Sequence, residues 1–255
     1  MTIGKALWHP PPSTLVLSAQ EIHVWRADLN QPIAQIERLA QLLSPDEQQR
    51  AKRFYFERDR NHFIAGRGIL RTILGRYLNQ PPDQIQFDYS PRGKPTLATS
   101  NPNQTLGFNL SHSHGLALYA LSSTLKLGID LEYRRPMPDA EKLAQRFFTP
   151  REYAAIQTLA GDQQQLAFFN GWTRKEAYLK ATGDGLAKLS EIEVSLMPGE
   201  AAKLLSIAGD SNAASHWSLF PLIPASDYVA AVAVLGQNWQ IKCLEVETRH
   251  GASLL

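Results

Sequence analysis

Apolar positions along this chain change period several times, and each change predicts an element. Between Glu21 and Asp28 they alternate loosely through Ile22, Val24 and Trp25, which predicts a strand. From Pro32 to Leu43, the residues Ile33, Ile36, Leu39, Leu42 and Leu43 share one helical face. Ser44-Pro45-Asp46-Glu47 then supplies a cap, a proline at the first helical position and two acids, opening a short helix to about Arg53. Asp59 to Leu78 predicts a longer helix with Phe63, Ile64, Ile69, Leu70, Ile73, Leu74 and Leu78 for the core. Gly66 and Gly68 lie inside it; each costs about 1 kcal/mol relative to alanine, which implies close packing against another element. Ile85, Phe87 and Tyr89 alternate as a strand, followed by a Pro- and Gly-rich turn, Ser90 to Pro95, carrying Arg92 and Lys94. Thr105–Leu110 and Leu116–Leu121 read as strands around Ser111-His112-Ser113-His114-Gly115, and Lys126–Tyr133 as another.

The second half repeats the theme. Asp139–Phe148 predicts a helix, and the capping box Thr149-Pro150-Arg151-Glu152 opens another through Leu159. Good helix formers run from Asp162 to Lys180 and stop at Gly183. Strands are expected at Glu191–Leu196, Trp217–Leu222, Tyr228–Leu235 and Gln240–Glu247, with Gly199–Ala214 as a mobile loop. There is no alternating strand–helix–strand rhythm and no Gly-rich phosphate fingerprint after a strand. The fold class is therefore α+β. Helices flanking a small sheet in each half permit two related subdomains, residues 1–125 and 126–255.

Composition narrows the class. Of 255 residues, 44% are hydrophobic and 20% charged, as in an ordinary soluble globular protein. No apolar run approaches the roughly 18 residues of a membrane helix. Met1 to Ser18 lacks a secretory apolar core. The single Cys243 excludes an internal disulfide and a cysteine-only zinc site. A cytoplasmic, reduced protein is expected. The net charge of +2 is small, but it is uneven. Arg50, Lys52, Arg53, Arg58, Arg60, Arg67, Arg71 and Arg76 face only Glu57 and Asp59; eight cations against two acids leave +6 over a short stretch. Solvated helix faces would explain that, and so would a polyanion site, since arginine forks suit phosphate.

Three groups of residues could carry chemistry. Alternation puts Asp130 and Glu132 on one face of their strand and Ile129 and Leu131 on the other. Two neighbouring carboxylates repel, so the face is either solvated or shared with a hard cation such as Mg²⁺. Trp172, Glu176 and Lys180 line one helical stripe, either a solvated salt-bridge face or an arm pointing into a cleft; Glu176 is then a third oxygen ligand. Lys175 lies off that stripe and reads as a solvated helix lysine. Ser111 and His112 form either a hydrogen-bonded turn or a phosphate grip; as strand neighbours they point opposite ways, which argues against a Ser–His nucleophile pair.

Together these stretches resemble the Sfp-type 4′-phosphopantetheinyl transferases over roughly Leu43 to Leu235. The matching pieces are Ser44-Pro45 through Arg53-Phe54-Tyr55, Gly93-Lys94-Pro95, Phe108-Asn109-Leu110-Ser111-His112-Ser113, Gly128-Ile129-Asp130-Leu131-Glu132, Arg146-Phe147-Phe148, and Trp172 to Leu186. The resemblance implies a pseudo-twofold α+β monomer, each half a small antiparallel sheet packed with helices, with coenzyme A in the cleft between them. It implies Mg²⁺, with Mn²⁺ as an alternative, on Asp130, Glu132 and Glu176, and assistance from Lys180. It implies coenzyme A contacts from Ser111, His112, Lys94, the Gly93 turn and Lys180, with Arg50, Arg53 and Arg67 toward the 3′-phosphate. The partner is an apo acyl or peptidyl carrier protein; neither nucleic acid nor membrane is expected. The chain has Glu47 where some relatives carry a basic residue. Two rival readings use the same residues: another Mg²⁺-dependent phosphoryl-transfer enzyme or nuclease, and a non-catalytic binder of carrier domains.

Overall fold

The computed structural model describes residues 7–98 and 106–246. Thr105 and Glu247, the outer ends of two expected strands, lie outside the described residues, as do the start of the first expected subdomain and the end of the second. The first half runs β1 (Glu21–Asp28), α1 (Ile33–Gln41), α2 (Pro45–Ala51), α3 (Glu57–Leu78), a hairpin of β2 (Phe87–Tyr89) and β3 (Pro95–Leu97), then β4 (Gly107–Ser113) and β5 (Leu116–Ser122). The second runs β6 (Leu127–Tyr133), α4 (Ala140–Phe147), α5 (Pro150–Gln157), α6 (Gly161–Thr182), a hairpin of β7 (Ile192–Val194) and β8 (Leu204–Ile207), α7 (Ser211–Ser215), β9 (Trp217–Leu222) and β10 (Tyr228–Leu235). A last strand, β11 (Gln240–Glu245), returns to the first half and pairs parallel with β1.

The expected α+β class is the observed one, and the two halves share a topology. One sheet has the order β11-β1-β5-β4 and the other β6-β10-β9. In each half the first strand pairs antiparallel with the last, which pairs with the one before it. Each half also has a 22-residue helix, α3 or α6. Each preceding short helix opens with a Ser/Thr-Pro-x-Glu capping box, Ser44 with Glu47 or Thr149 with Glu152. That N3 glutamate then meets a buried cation on the long helix. Glu47 Oε2 lies 2.7 Å from Arg71 Nε, and Glu152 Oε2 lies 2.6 Å from Lys175 Nζ.

Strand alternation distributes the core. Ile22, Val24, Leu118, Ala120, Leu127, Ile129, Leu131, Ala230, Val232 and Val234 form one apolar layer between the two sheets. The alternate faces pack on the helices: Trp25, Ala27 and Tyr119 share a cluster with α3, and Ala231 and Ala233 share one with α6. The order is therefore helix, sheet, sheet, helix. Two expectations change. Gly199–Ala214 is not simply a loop: it contains β8, which pairs with β7, and the capped helix α7. Ser111 to Ser113 is not a turn but the end of β4, paired with β5 as far as Ser113–Leu116. No helix among the described residues is long and apolar enough to cross a membrane.

Candidate active site

The acids of β6 face α6. Gly128 permits the approach: a Cβ there would lie 2.0 Å from the Ala177 carbonyl oxygen and 2.5 Å from the Ala181 nitrogen. The helix backbone thus rests on the strand, which brings Glu176 and Lys180 over Asp130 and Glu132. Asp130 is only 4% exposed, so the solvated-face reading of this pair does not hold. Its Oδ1 accepts from Lys180 Nζ at 2.7 Å and from Ser111 Oγ at 3.0 Å. Its Oδ2 is buried without a partner. Burial, and then the Asp130 charge, raise the Glu132 carboxyl above its ordinary range. Glu176 is pushed up to about 7, first by burial and then by Asp130, with a smaller push from Glu132 and an opposing pull from Lys180. The three carboxylates therefore feel one another across the strand–helix junction.

The end of α6 is held by the first half. Gly183 adopts the left-handed conformation with φ of +81°, and its N–H donates to Leu179 O at 2.8 Å. Arg92 Nη1 donates to Gly183 O at 2.8 Å, and Lys94 Nζ donates to Lys180 O. Two cations thus sit at a helix C-terminus, where the dipole favours them. Burial, then Lys180, lower the Lys94 pKa. Gly93 itself is exposed, at the φ of +79° that its turn requires.

In the first half, Arg67 stands among aromatic rings, 5.9, 5.8 and 5.7 Å from the centroids of Phe63, Phe87 and Tyr89. Arg50 lies over Phe63 at 5.2 Å. The +6 stretch is less bare than it looks: buried Glu47 pairs with Arg71 and stands 3.8 Å from Arg67. Arg67 nevertheless keeps a buried Nη1 without a partner. His112 points away from Ser111, and its side chain is open to solvent. Partial desolvation, followed by the charges of Lys180, His62 and Arg67, holds its imidazole below the ordinary pKa. Arg53 is exposed and makes no ion pair among the described residues. The structure thus gathers Ser111, Asp130, Glu132, Glu176, Lys180 and Lys94 at the strand–helix junction, holds Arg50 and Arg67 against aromatic rings of the first half, and leaves Arg53, Gly93 and His112 exposed.

Comparison with known proteins identifies the family. Residues 126–233 match the model of the 4′-phosphopantetheinyl transferase superfamily, and residues 15–124 match that of the 4′-phosphopantetheinyl transferase N-terminal region. The chain is 54% identical over 235 residues to the 4′-phosphopantetheinyl transferase HetI of Nostoc sp., covering 92% of this chain and 96% of HetI. It belongs to the 4′-phosphopantetheinyl transferase superfamily. A human relative, L-aminoadipate-semialdehyde dehydrogenase-phosphopantetheinyl transferase, is 31% identical over 69% of this chain and 62% of its own length. The 4′-phosphopantetheinyl transferase Sfp of Bacillus subtilis is 29% identical over 62% of this chain and 69% of its own. Enzymes of this class use coenzyme A to modify carrier proteins.

Several residues that shape this phosphopantetheinyl transferase site escaped sequence reasoning. Lys175, expected as a solvated lysine, is 0% exposed; its Nζ also donates to Leu189 O at 2.9 Å and Phe147 O at 3.3 Å. Glu152 read only as a cap residue and Glu47 as a cap residue and a departure from its relatives, although each anchors a cation on a long helix. The signal was present as a repeat: the partner lies 24 residues after Glu47 and, by subtraction of the numbers, 23 after Glu152. His114, which had no role, has φ of +45°, stacks on Tyr133 at 4.5 Å and accepts the Tyr228 hydroxyl on its carbonyl.

Proposed function

We propose that this chain moves 4′-phosphopantetheine from coenzyme A to a serine of an apo acyl or peptidyl carrier protein, using a divalent cation and releasing 3′,5′-ADP. The observation that carries the reading is a buried aspartate, Asp130, with one oxygen paired to Lys180 and the other orphaned, on the strand that also carries Glu132 and packs against the helix that carries Glu176. Among the described residues, no group of three His, Cys, Asp or Glu side chains forms a ready-made metal cage. The donor set nevertheless fits Mg²⁺, which is commonly held by one or two carboxylates together with waters and substrate phosphate oxygens. Asp130, Glu132 and Glu176 would hold the ion, and the all-oxygen set would also accept Mn²⁺. When bound, it would neutralise charge on the pyrophosphate and relieve the repulsion among the three acids.

The chain's own residues supply the rest. Arg50 and Arg67, with its free Nη1, would receive the 3′-phosphate, and Arg53 would add charge at the rim. His112, Lys94 and the Gly93 turn would flank the nucleotide and the phosphates. The carrier serine oxygen attacks the β-phosphorus of coenzyme A. Its proton passes to Glu176, directly or through an intervening water. The bond from that phosphorus to the bridging oxygen breaks, the electron pair leaves on 3′,5′-ADP, and Lys180 neutralises the departing charge. The proposed division assigns residues 1–125 to the nucleotide and 126–255 to the acids, in a monomer acting in the cytoplasm.

The test is to incubate the protein with coenzyme A, Mg²⁺ and an apo carrier protein, and then to weigh the carrier. The native chain should add phosphopantetheine and cease to do so in EDTA. Glu176→Gln should lose about 10²–10⁴ in rate while keeping its fold. A native chain that never changes the carrier's mass is a binding protein, and a near-normal Glu176→Gln rate removes Glu176 from proton transfer.

A further inference from the structure

The two sheets meet at β4 and β6, yet β4 and β6 belong to different sheets. The outer N–H groups of β6 are satisfied in another way. Ile129 N–H donates to Asn109 Oδ1 at 2.8 Å, Leu131 N–H to Ser111 Oγ at 3.2 Å, and Tyr133 N–H to Ser113 Oγ at 3.2 Å. Alternate side chains of one strand thus replace a backbone ladder and cover the edge of the next sheet. Two of the three do more. Ser111 Oγ donates its single proton to Asp130 Oδ1 at 3.0 Å and accepts from Lys180 Nζ at 3.0 Å. Ser113 Oγ lies 3.3 Å from Glu132 Oε2, to which it donates. One donor and two acceptor positions are all that a hydroxyl has, so Ser111 is fully engaged inside the protein.

We infer that Ser111 and Ser113 are positioning residues that lock the seam between the halves and orient Asp130 and Glu132, rather than ligands of a coenzyme A phosphate. Resting on the transferase reading, the assignment separates two residues that the sequence places side by side. His112 lies on the exposed face of β4, while the serines turn to the acids. Holding Asp130 through Oδ1 is also what leaves Oδ2 unclaimed. Asn109 provides the internal comparison, because it accepts a β6 amide and, among the described residues, makes no hydrogen bond to Asp130 or Glu132.

The test is amide hydrogen exchange by NMR on Asn109→Ala, Ser111→Ala and Ser113→Ala. Each variant should lose about tenfold or more protection at its own partner amide, at Ile129, Leu131 and Tyr133 respectively, with the other two retained. Calorimetric titration of coenzyme A in EDTA should give Ser111→Ala an affinity within about twofold of the native chain. Turnover should fall further in Ser111→Ala and Ser113→Ala than in Asn109→Ala, and Ser113→Thr, which keeps the hydroxyl, should restore it. Unchanged Leu131 exchange together with about tenfold weaker coenzyme A binding would make Ser111 a phosphate ligand and overturn the assignment. The exchange readout decides the seam even if no transfer activity is found. Should Ser111→Ala fail to fold, half-exposed Ser113 gives the same answer at Tyr133 and Glu132.

Discussion

Lys175→Met separates the two lysines of the α6 motif. The perturbation removes an ammonium that is fully buried and touches Glu152, Leu189 O and Phe147 O. Burial lowers the Lys175 pKa and raises that of Glu152, and in each case the charge of the partner opposes the shift. Removing one partner leaves a buried carboxylate beside two carbonyls stripped of their donor. Breaking a buried pair in this way costs about 3–5 kcal/mol, a large part of a typical stability of about 5–15 kcal/mol. Replacing both partners removes the uncompensated charge, so Glu152→Met/Lys175→Met should be no less stable than Lys175→Met alone. Urea unfolding midpoints of the single and double variants, at unchanged slope, measure this. Transfer per folded molecule should fall far less in Lys175→Met than in Lys180→Ala, because Lys175 points to the 147–149 corner and Lys180 to Asp130. A loss under about 1 kcal/mol, the scale of a surface pair, would refute the reasoning. So would a variant of native stability that cannot transfer.

Two further outcomes follow from the packing and the charges. Gly128→Ala drives a methyl group into the α6 backbone, 2.0 Å from Ala177 O; the strand and helix must part, so stability should fall by about 1–3 kcal/mol and transfer by more than that loss explains. A native melting temperature for Gly128→Ala would show that the approach is not as tight as the geometry demands. The Glu21 carboxyl is pushed down to about 2 from 4.5, chiefly by its hydrogen bond with Lys242 of β11. A carboxyl lowered on folding stabilises above its unfolded pKa and loses that contribution as pH falls through the folded one. The gap between the native chain and Glu21→Gln should therefore be about 1 kcal/mol at neutral pH, since Lys242 is half exposed, and should close as the solution is acidified from about pH 4.5 to 2. A gap that widens on acidification contradicts the pairing.

What could be read from the sequence, and what could not, divides along one physical line. Period and capping are local, so the strands Glu21–Asp28 and Tyr228–Leu235 and the box Thr149–Glu152 were legible at their observed positions. The stripe of Glu176 and Lys180 followed from helical spacing alone. Partners across the chain are not local. Nothing near Glu47 indicates that it reaches Arg71, and nothing near Lys175 indicates that its stem runs beneath the helix to Glu152. Nothing beside Gly128 in its strand indicates that the α6 backbone rests on it. The loop expected at Gly199–Ala214 failed for a related reason: small polar residues there hydrogen-bond locally, Asp210 capping α7 through Ala213 N at 3.0 Å, instead of remaining mobile. The repeat explains where the chemistry settled. Both long helices carry a buried cation opposite a cap glutamate, but only the second continues to Glu176 and Lys180. The equivalent turns of α3, counted from each helix's first residue, carry Thr72 and Arg76, and Arg76 lies over Trp25 at 5.5 Å. One scaffold thus serves twice, with acids facing the helix on β6 and an indole on β1. The arginine face of the first copy and the carboxylates of the second are complementary because they differ.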